Sequence, residues 1–365
     1  MIRRVRGIPR LVVLITVLVA AMIVTPFLIA PSADDRSYQA AARAAARGDW
    51  PGALRWLSVL AERNPHFRDV DQRLREAAWE TAAEMADLDP LVEADAIGYL
   101  ASVDAGALAD ALDGCVTSIP AGAFVMGSED ARVDEVPERS VWLSEFSIDR
   151  FETTNAQYQR YVRATGVLAP PYWAGIEYPP GQADRPVVGV SWSDANDYCA
   201  WAGKRLPTEA EWERACRGTD ERTYPWGDEW STGLLNVASR PMLIDDPIGL
   251  DPAWPLLRED PATGEPGLRP VGSYPDGATR EGVFDLEGNA AEWVVDWYDS
   301  AGYGGLPDRD PVGPGPPWNH VVRGVGWLDR FGKPGEVAVD ARCAARNASH
   351  VSFDVQIGFR CAASP

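Results

Sequence analysis

Histidine is scarce in this chain: His66, His320 and His350 are the only three among 365 residues. A metal centre built on several imidazoles is excluded for want of ligands. Positive charge is also in deficit, with 34 Lys and Arg against 54 Asp and Glu, a formal charge of −20. Nucleic acid is recognised through clustered cations, so it is not an expected partner. No CxxC pair occurs, which removes zinc ribbons and thioredoxin-type redox sites. What the chain does hold is 33 Gly, 30 Pro and 15 Trp within a 46% hydrophobic composition. That is enough apolar material for a core, and the turn residues point to a loop-rich fold rather than a plain helical bundle.

Arg3, Arg4, Arg6 and Arg10 precede an uncharged, mostly aliphatic run from Leu11 to Ala30. About 20 residues rising 1.5 Å each match the ~30 Å hydrocarbon layer of a membrane. The basic flank stays in the cytoplasm, so everything after Pro31 is expected outside. A cleaved signal peptide would have a shorter apolar region and a small-residue cleavage site, and Ala30-Pro31-Ser32-Ala33 matches that poorly. Residues 1–32 therefore read as a single-pass signal anchor in the cell membrane, with the C-terminal part periplasmic or extracellular. Export places Cys115, Cys199, Cys216, Cys343 and Cys361 where disulfides persist. Five is odd, so two disulfides and one spare thiol are expected, with the pairing open.

Residues 34–114 are rich in Ala, Leu, Glu and Arg. Ala53, Leu54, Leu57, Leu60 and Ala61 follow helical spacing. The stretch Gly48-Asp49-Trp50 to Asn64-Pro65 resembles part of a tetratricopeptide repeat, and a second helix is expected over Asp69–Ala86. This segment reads as an α-helical spacer, with protein docking as its other use. Past Cys115 the pattern changes. Ile119–Gly127 reads as a strand broken by turn residues, and Val141–Asp149 alternates like a second strand. Thr154 with Gln157 makes a capping box for a helix ending at Gly166, and Thr208 with Glu211 makes another for Glu209–Arg217. Ser193 is the expected cap of a helix ending at Gly203. Residues 115–365 thus form an α+β domain with much irregular backbone.

The series Gly189-Val190-Ser191-Trp192, Tyr198-Cys199 and Gly203-Lys204-Arg205-Leu206-Pro207-Thr208-Glu209-Ala210-Glu211-Trp212 resembles the formylglycine-generating enzyme (sulfatase-modifying factor) family. Tyr224-Pro225-Trp226-Gly227, Gly288-Asn289 with Glu292-Trp293, Arg342-Cys343-Ala344-Ala345-Arg346 and Gly358-Phe359-Arg360-Cys361 continue the resemblance in order, over Ile119 to Pro365. It implies a C-type-lectin-related fold and disulfides Cys199–Cys361 and Cys216–Cys343, leaving Cys115 unpaired.

Family enzymes oxidise a sulfatase cysteine to formylglycine with Cu(I) held by two further cysteines. The corresponding window here, Leu328 to Arg342, has no cysteine. A soft Cu(I) ion needs thiolates, so copper is not expected. The family's Gly-Gly-Ser is Gly324-Val325-Gly326, its active-site Trp is Ala291, and its late Asn is Gln356. Val325, Trp327, Arg346, His350 and Gln356 are the candidate groove residues. The resemblance also implies structural calcium, on Asp285, Gly288, Ala290 and Glu292, with a second site starting at Asn236 and Val237. The expected function is a membrane-anchored binding or accessory module without copper oxidase activity, taking a protein segment or envelope glycan in the former substrate groove. The alternative is a divergent formylglycine-generating-type oxidase or other enzyme acting on exported proteins.

Overall fold

The computed structural model describes residues 32–64, 66–70, 105–129, 132–237, 267–313, 319–327, 337–349 and 356–365, with isolated positions between these stretches. The Leu11–Ala30 run, most of the Asp69–Ala86 helix and His350 lie outside the described residues. Among the described residues no helix is long and apolar enough to cross a membrane. The chain divides into two units, residues 1–73 and 74–365.

In the first unit, α1 (Ala33–Ala45) and α2 (Trp50–Arg63) form a helical hairpin. Ser32 and Asp35 close a capping box at the start of α1, and the Asp49 side chain accepts the Gly52 N–H at the start of α2. Ala41 and Ala44 of α1 are buried, as are Ala53, Leu54, Leu57 and Leu60 of α2. These α2 positions are the apolar stripe expected from the sequence spacing. Arg63 reaches Asp34 at 3.3 Å across the hairpin.

The second unit takes in α3 (Ala105–Asp113), which falls before the boundary expected at Cys115. Polar side chains hold it: Gln157 Nε2 donates to Asp113 at 2.9 Å, and Arg160 pairs with Asp110 and Asp113. Then come β1 (Val116–Ile119), β2 (Gly122–Met126), β3 (Arg139–Leu143) and β4 (Phe146–Asp149). The expected break in Ile119–Gly127 falls at Pro120 and Ala121, and the strands on either side of it join different sheets. β2 pairs with β3, while β1 pairs with β4.

Three helices follow: α4 (Asn155–Thr165), α5 (Trp192–Trp201) and α6 (Glu209–Arg217). Both expected capping boxes are present on α4 and α6. The α5 cap is Ser191 rather than Ser193, because Asp194 three residues on completes a box only with Ser191.

A four-stranded sheet ordered β7-β6-β5-β8 closes the unit, from β5 (Ala291–Trp297), β6 (His320–Arg323), β7 (Asn347–Ser349) and β8 (Ile357–Gly358). A short helix, α7 (Val337–Asp340), precedes β7. β8 runs parallel to β5, and β9 (Ala362–Ala363) returns to β4 in the first sheet.

Disulfides Cys199–Cys361 and Cys216–Cys343 are both present, with Cα atoms 5.6 Å apart in each. They tie α5 and α6 to the last segments of the chain. Cys115 is buried outside both. Trp212, Trp293, Phe284 and Phe359 are almost wholly buried and fill the space between helices and sheets.

Candidate functional site

β6 runs into the segment Gly324-Val325-Gly326-Trp327, which lies beside Glu287-Gly288-Asn289. Three backbone donors stitch the two together. Val325 N–H donates to Glu287 Oε2 at 3.2 Å, Gly288 N–H to Val325 O at 3.1 Å, and Trp327 N–H to Asn289 O at 2.7 Å. Gly288 has φ 87°, and a Cβ there would lie 2.7 Å from the Asn236 nitrogen, so only glycine lets these backbones meet. Val325 packs on Leu235 and Ala341, and Trp327 on Val188, Leu268 and Ala290. Both are buried.

Gln356 comes to the same place from the loop before β8. Its carbonyl accepts the Ala291 N–H at 2.8 Å. A Cβ built on Gly326 would lie 2.9 Å from Gln356 Cβ and 3.3 Å from its Oε1. Ala291, Gly326 and Gln356, three positions where the chain departs from the motif pattern, therefore adjoin in space. The room that a serine at 326 would need is taken by the Gln356 side chain.

Arg346 departs from the expectation. Its guanidinium turns into the protein: Nε and Nη2 donate to Glu209 at 2.7 and 2.9 Å, and Nη1 donates to the Asp134 and Asp299 carbonyls. It is 2% exposed, with Tyr303 4.5 Å below the guanidinium. Each of its three nitrogens has a partner inside the protein. Arg323 joins the same network through Glu209 at 2.9 Å and Glu213 at 3.1 Å. Burial of Glu209 pushes its carboxyl up, but Arg346 and Arg323 outweigh it and hold the group below its ordinary value.

Both carboxylates of the expected calcium site have protein partners. Both Glu292 oxygens accept from Arg360, at 2.6–2.9 Å, and Oε2 also accepts from Trp212 Nε1 at 2.9 Å. Asp285, held at φ 55°, accepts the Gly272 N–H at 2.6 Å. The Arg360 guanidinium thus engages the Glu292 carboxylate that the expected calcium site would use. Burial, then the nearness of Asp285 and Glu292, pushes the Glu152 carboxyl well up, and burial pushes Asp285 up to about 6.

At the second place, Asn236 Nδ2 donates to Gly267 O and Asn289 Oδ1, which leaves its own Oδ1 buried with no donor. Val237 is half-buried and packs at the edge of the Leu235 cluster. One such oxygen is not a coordination shell. Among the described residues no group of three or more His, Cys, Asp or Glu is placed to hold a metal ion.

Glu287, which sequence reading passed over, is buried with Oε1 lacking a donor, and burial pushes its carboxyl up to about 8. Glu209 and Glu213 were also missed as partners of Arg346 and Arg323. Their i, i+4 spacing on α6 was the one available signal, placing both on one helical face.

These features define a disulfide-tied α+β domain. The chain belongs to the family described as the sulfatase-modifying factor enzyme 1-like domain, whose profile matches residues 109–365. It is similar to the formylglycine-generating enzyme of Bos taurus, 31% identical over 294 residues that cover 67% of this chain and 73% of that one. It is equally similar to the inactive C-alpha-formylglycine-generating enzyme 2 of Mus musculus, 32% identical over 302 residues covering 70% and 88%. Among solved structures, PvdO from Pseudomonas aeruginosa superposes with a TM-score of 0.51 at 26% identity, covering 68% of this chain and 93% of that one.

Proposed function

We propose that this chain is a membrane-anchored, extracytoplasmic binding or accessory module that uses the family scaffold without copper-dependent thiol oxidation. The observation that carries this reading is the contact between Gly326 and Gln356. The position matching the family's reactive serine has no side chain, and its space is filled by an amide. The cysteine-free window from Leu328 to Arg342 points the same way, since no thiolate pair is available to a soft ion. A relative named inactive is 32% identical to the chain, beside one named formylglycine-generating enzyme at 31%. The basic flank and the apolar run before Pro31 support the anchor, and two disulfides suit an oxidising compartment. The partner would be a protein segment or envelope glycan seated near Val325, Trp327 and Gln356.

The test incubates the detergent-solubilised full chain with a peptide containing Cys-x-Pro-x-Arg, Cu(I) and oxygen, read by mass spectrometry. An unchanged peptide is expected. Conversion of its cysteine to an aldehyde would establish a divergent oxidase instead.

A further inference from the structure

Arg217, Arg222 and Arg342 line one cleft of about 610 Å3, with Ser128, Thr223 and Glu138 among its polar residues. The carboxylates that hold two of these arginines stand outside the lining. Arg222 meets Asp220 and Glu281 at 3.0 Å each, and Arg342 meets Glu135 at 2.7 Å. They fix two guanidinium planes and leave the wall itself rich in cations, in a protein that is otherwise strongly acidic.

Arg217 is different. Its Nη1 donates to the carbonyls of Val125 at 3.3 Å and Gly127 at 2.5 Å, and lies 3.5 Å from Glu213. Its Nε and Nη2 meet no acceptor among the described residues, and neither is a sealed interior atom. Arg217 lines the cleft, and that edge is the one its protein partners leave uncommitted. The Nε–Nη2 edge of a guanidinium presents two parallel N–H groups at the spacing of two oxygens of a carboxylate, sulfate or phosphate. The carbonyl anchors on Nη1 orient this fork in advance, so little rotamer freedom is lost on binding.

We infer that this cleft binds a small ligand through an oxyanion, clamped by the Nε–Nη2 edge of Arg217, with Arg222 and Arg342 supplying attractive field. Clefts of roughly 300–1,000 Å3 hold small molecules, so the oxyanion is the head group of a larger body. The inference rests on this geometry alone and not on the function proposed above.

The test is calorimetric titration of the full chain in detergent, at ionic strength held constant with chloride, using inorganic phosphate, sulfate and citrate as probes. One saturable site for at least one probe is expected, and the ranking separates tetrahedral from planar head groups. Arg217→Gln weakens binding by about tenfold or more. That residue also braces Gly127, so a second variant guards against misfolding. Glu138→Gln removes an exposed negative charge from the lining and is expected to tighten binding by roughly twofold to fivefold. Absence of saturation with all three probes overturns the inference, and so does binding that neither substitution alters.

Discussion

Arg346 grips Glu209 with two parallel hydrogen bonds, Nε to Oε1 at 2.7 Å and Nη2 to Oε2 at 2.9 Å, across 137 positions of sequence. Arg323 shares the same carboxylate and carries it on to Glu213. Both guanidiniums lie against Tyr303 or Trp212 rings, and Tyr303 Oη reaches Glu209 at 3.3 Å. The centre of the unit is therefore a sealed polar network, in which each charge depends on the next.

Removing one member of that network leaves a buried charge without its counterpart. Glu209→Gln is expected to lower unfolding free energy by about 3–5 kcal/mol at pH 7, measured by urea denaturation. The pH dependence follows from the depressed carboxyl of Glu209. Its contribution is complete above the unfolded value near ~4.3 and fades as pH falls through the lower folded one. The gap between native protein and variant is expected to narrow in acid. A gap constant from pH 7 to pH 3 would contradict the assignment.

The helix starts were legible where the signal is local. Thr154 with Gln157 and Thr208 with Glu211 encode their caps within four residues, and the fold uses both. Ser193 misled because two serines stand near the start of α5, and only the Asp194 partner distinguishes Ser191. The disulfide pairing could not be read from spacing and came from family likeness. Val325, Trp327 and Gln356 were grouped from motifs, and in the fold Gln356 packs against Gly326, between the other two in the chain. Arg346 was not legible, because nothing along the chain marks Glu209 as the group that claims it. The same limit hid Arg360, whose guanidinium occupies the carboxylate expected to bind calcium. Long-range ion pairs leave no periodic trace in sequence.

Gly324 links β6 to the altered site in a conformation that other residues resist. Its φ is 70°, and a Cβ there would stand 2.4 Å from the Leu286 carbonyl oxygen. The left-handed conformation costs about 1–2 kcal/mol for an L-residue, and the clash with backbone adds about 1–3 kcal/mol. Gly324→Ala is expected to destabilise by roughly 2–5 kcal/mol in thermal or urea unfolding. Gly203 shares the positive φ, at 74°, but has nothing within 4 Å of the same position. Gly203→Ala should therefore cost only the first part, about 1–2 kcal/mol. Equal losses at the two sites would show that the close approach to Leu286 is not the cause.

The disulfides close loops of 162 and 127 residues. In the chain-entropy treatment each removes about 5 kcal/mol of unfolded-state freedom. Replacing Cys216 and Cys343 together by Ser keeps no lone thiol at that site, and the variant is expected to unfold at markedly lower urea. Adding reductant to the unaltered protein should lower its midpoint further than it lowers that of the variant, which has one bond fewer to lose. A reductant-insensitive midpoint in the unaltered protein would mean that the bonds contribute nothing to its stability.

His320 sits between Trp192 and Trp297, with ring centroids 3.9 and 3.7 Å away. Burial pushes its imidazole down to about 4, against a hydrogen bond to the Asp296 backbone that works the other way, and Nδ1 is sealed with no partner. The unfolded imidazole titrates near ~6.5, so below that pH the unfolded chain takes up a proton that the folded ring refuses. The stability this supplies is complete above about 6.5 and is lost as pH falls toward 4. The ring is only half-buried, and solvent screening limits the effect to about 1–2 kcal/mol. Asp296 on the adjoining strand runs oppositely: burial pushes its carboxyl up to about 7, so its contribution declines as pH rises from about 4 to 7. The two slopes partly cancel in the native protein, and a single pH profile will not separate them. His320→Phe does, because a phenyl ring keeps the stack between the two indoles and cannot titrate. In urea unfolding at pH 4.5 and pH 7.5, the variant is expected to gain on the native protein by about 1–2 kcal/mol at the lower pH. A difference that stays the same at both pH values would mean that the imidazole between the tryptophans titrates as freely as it does in the unfolded chain.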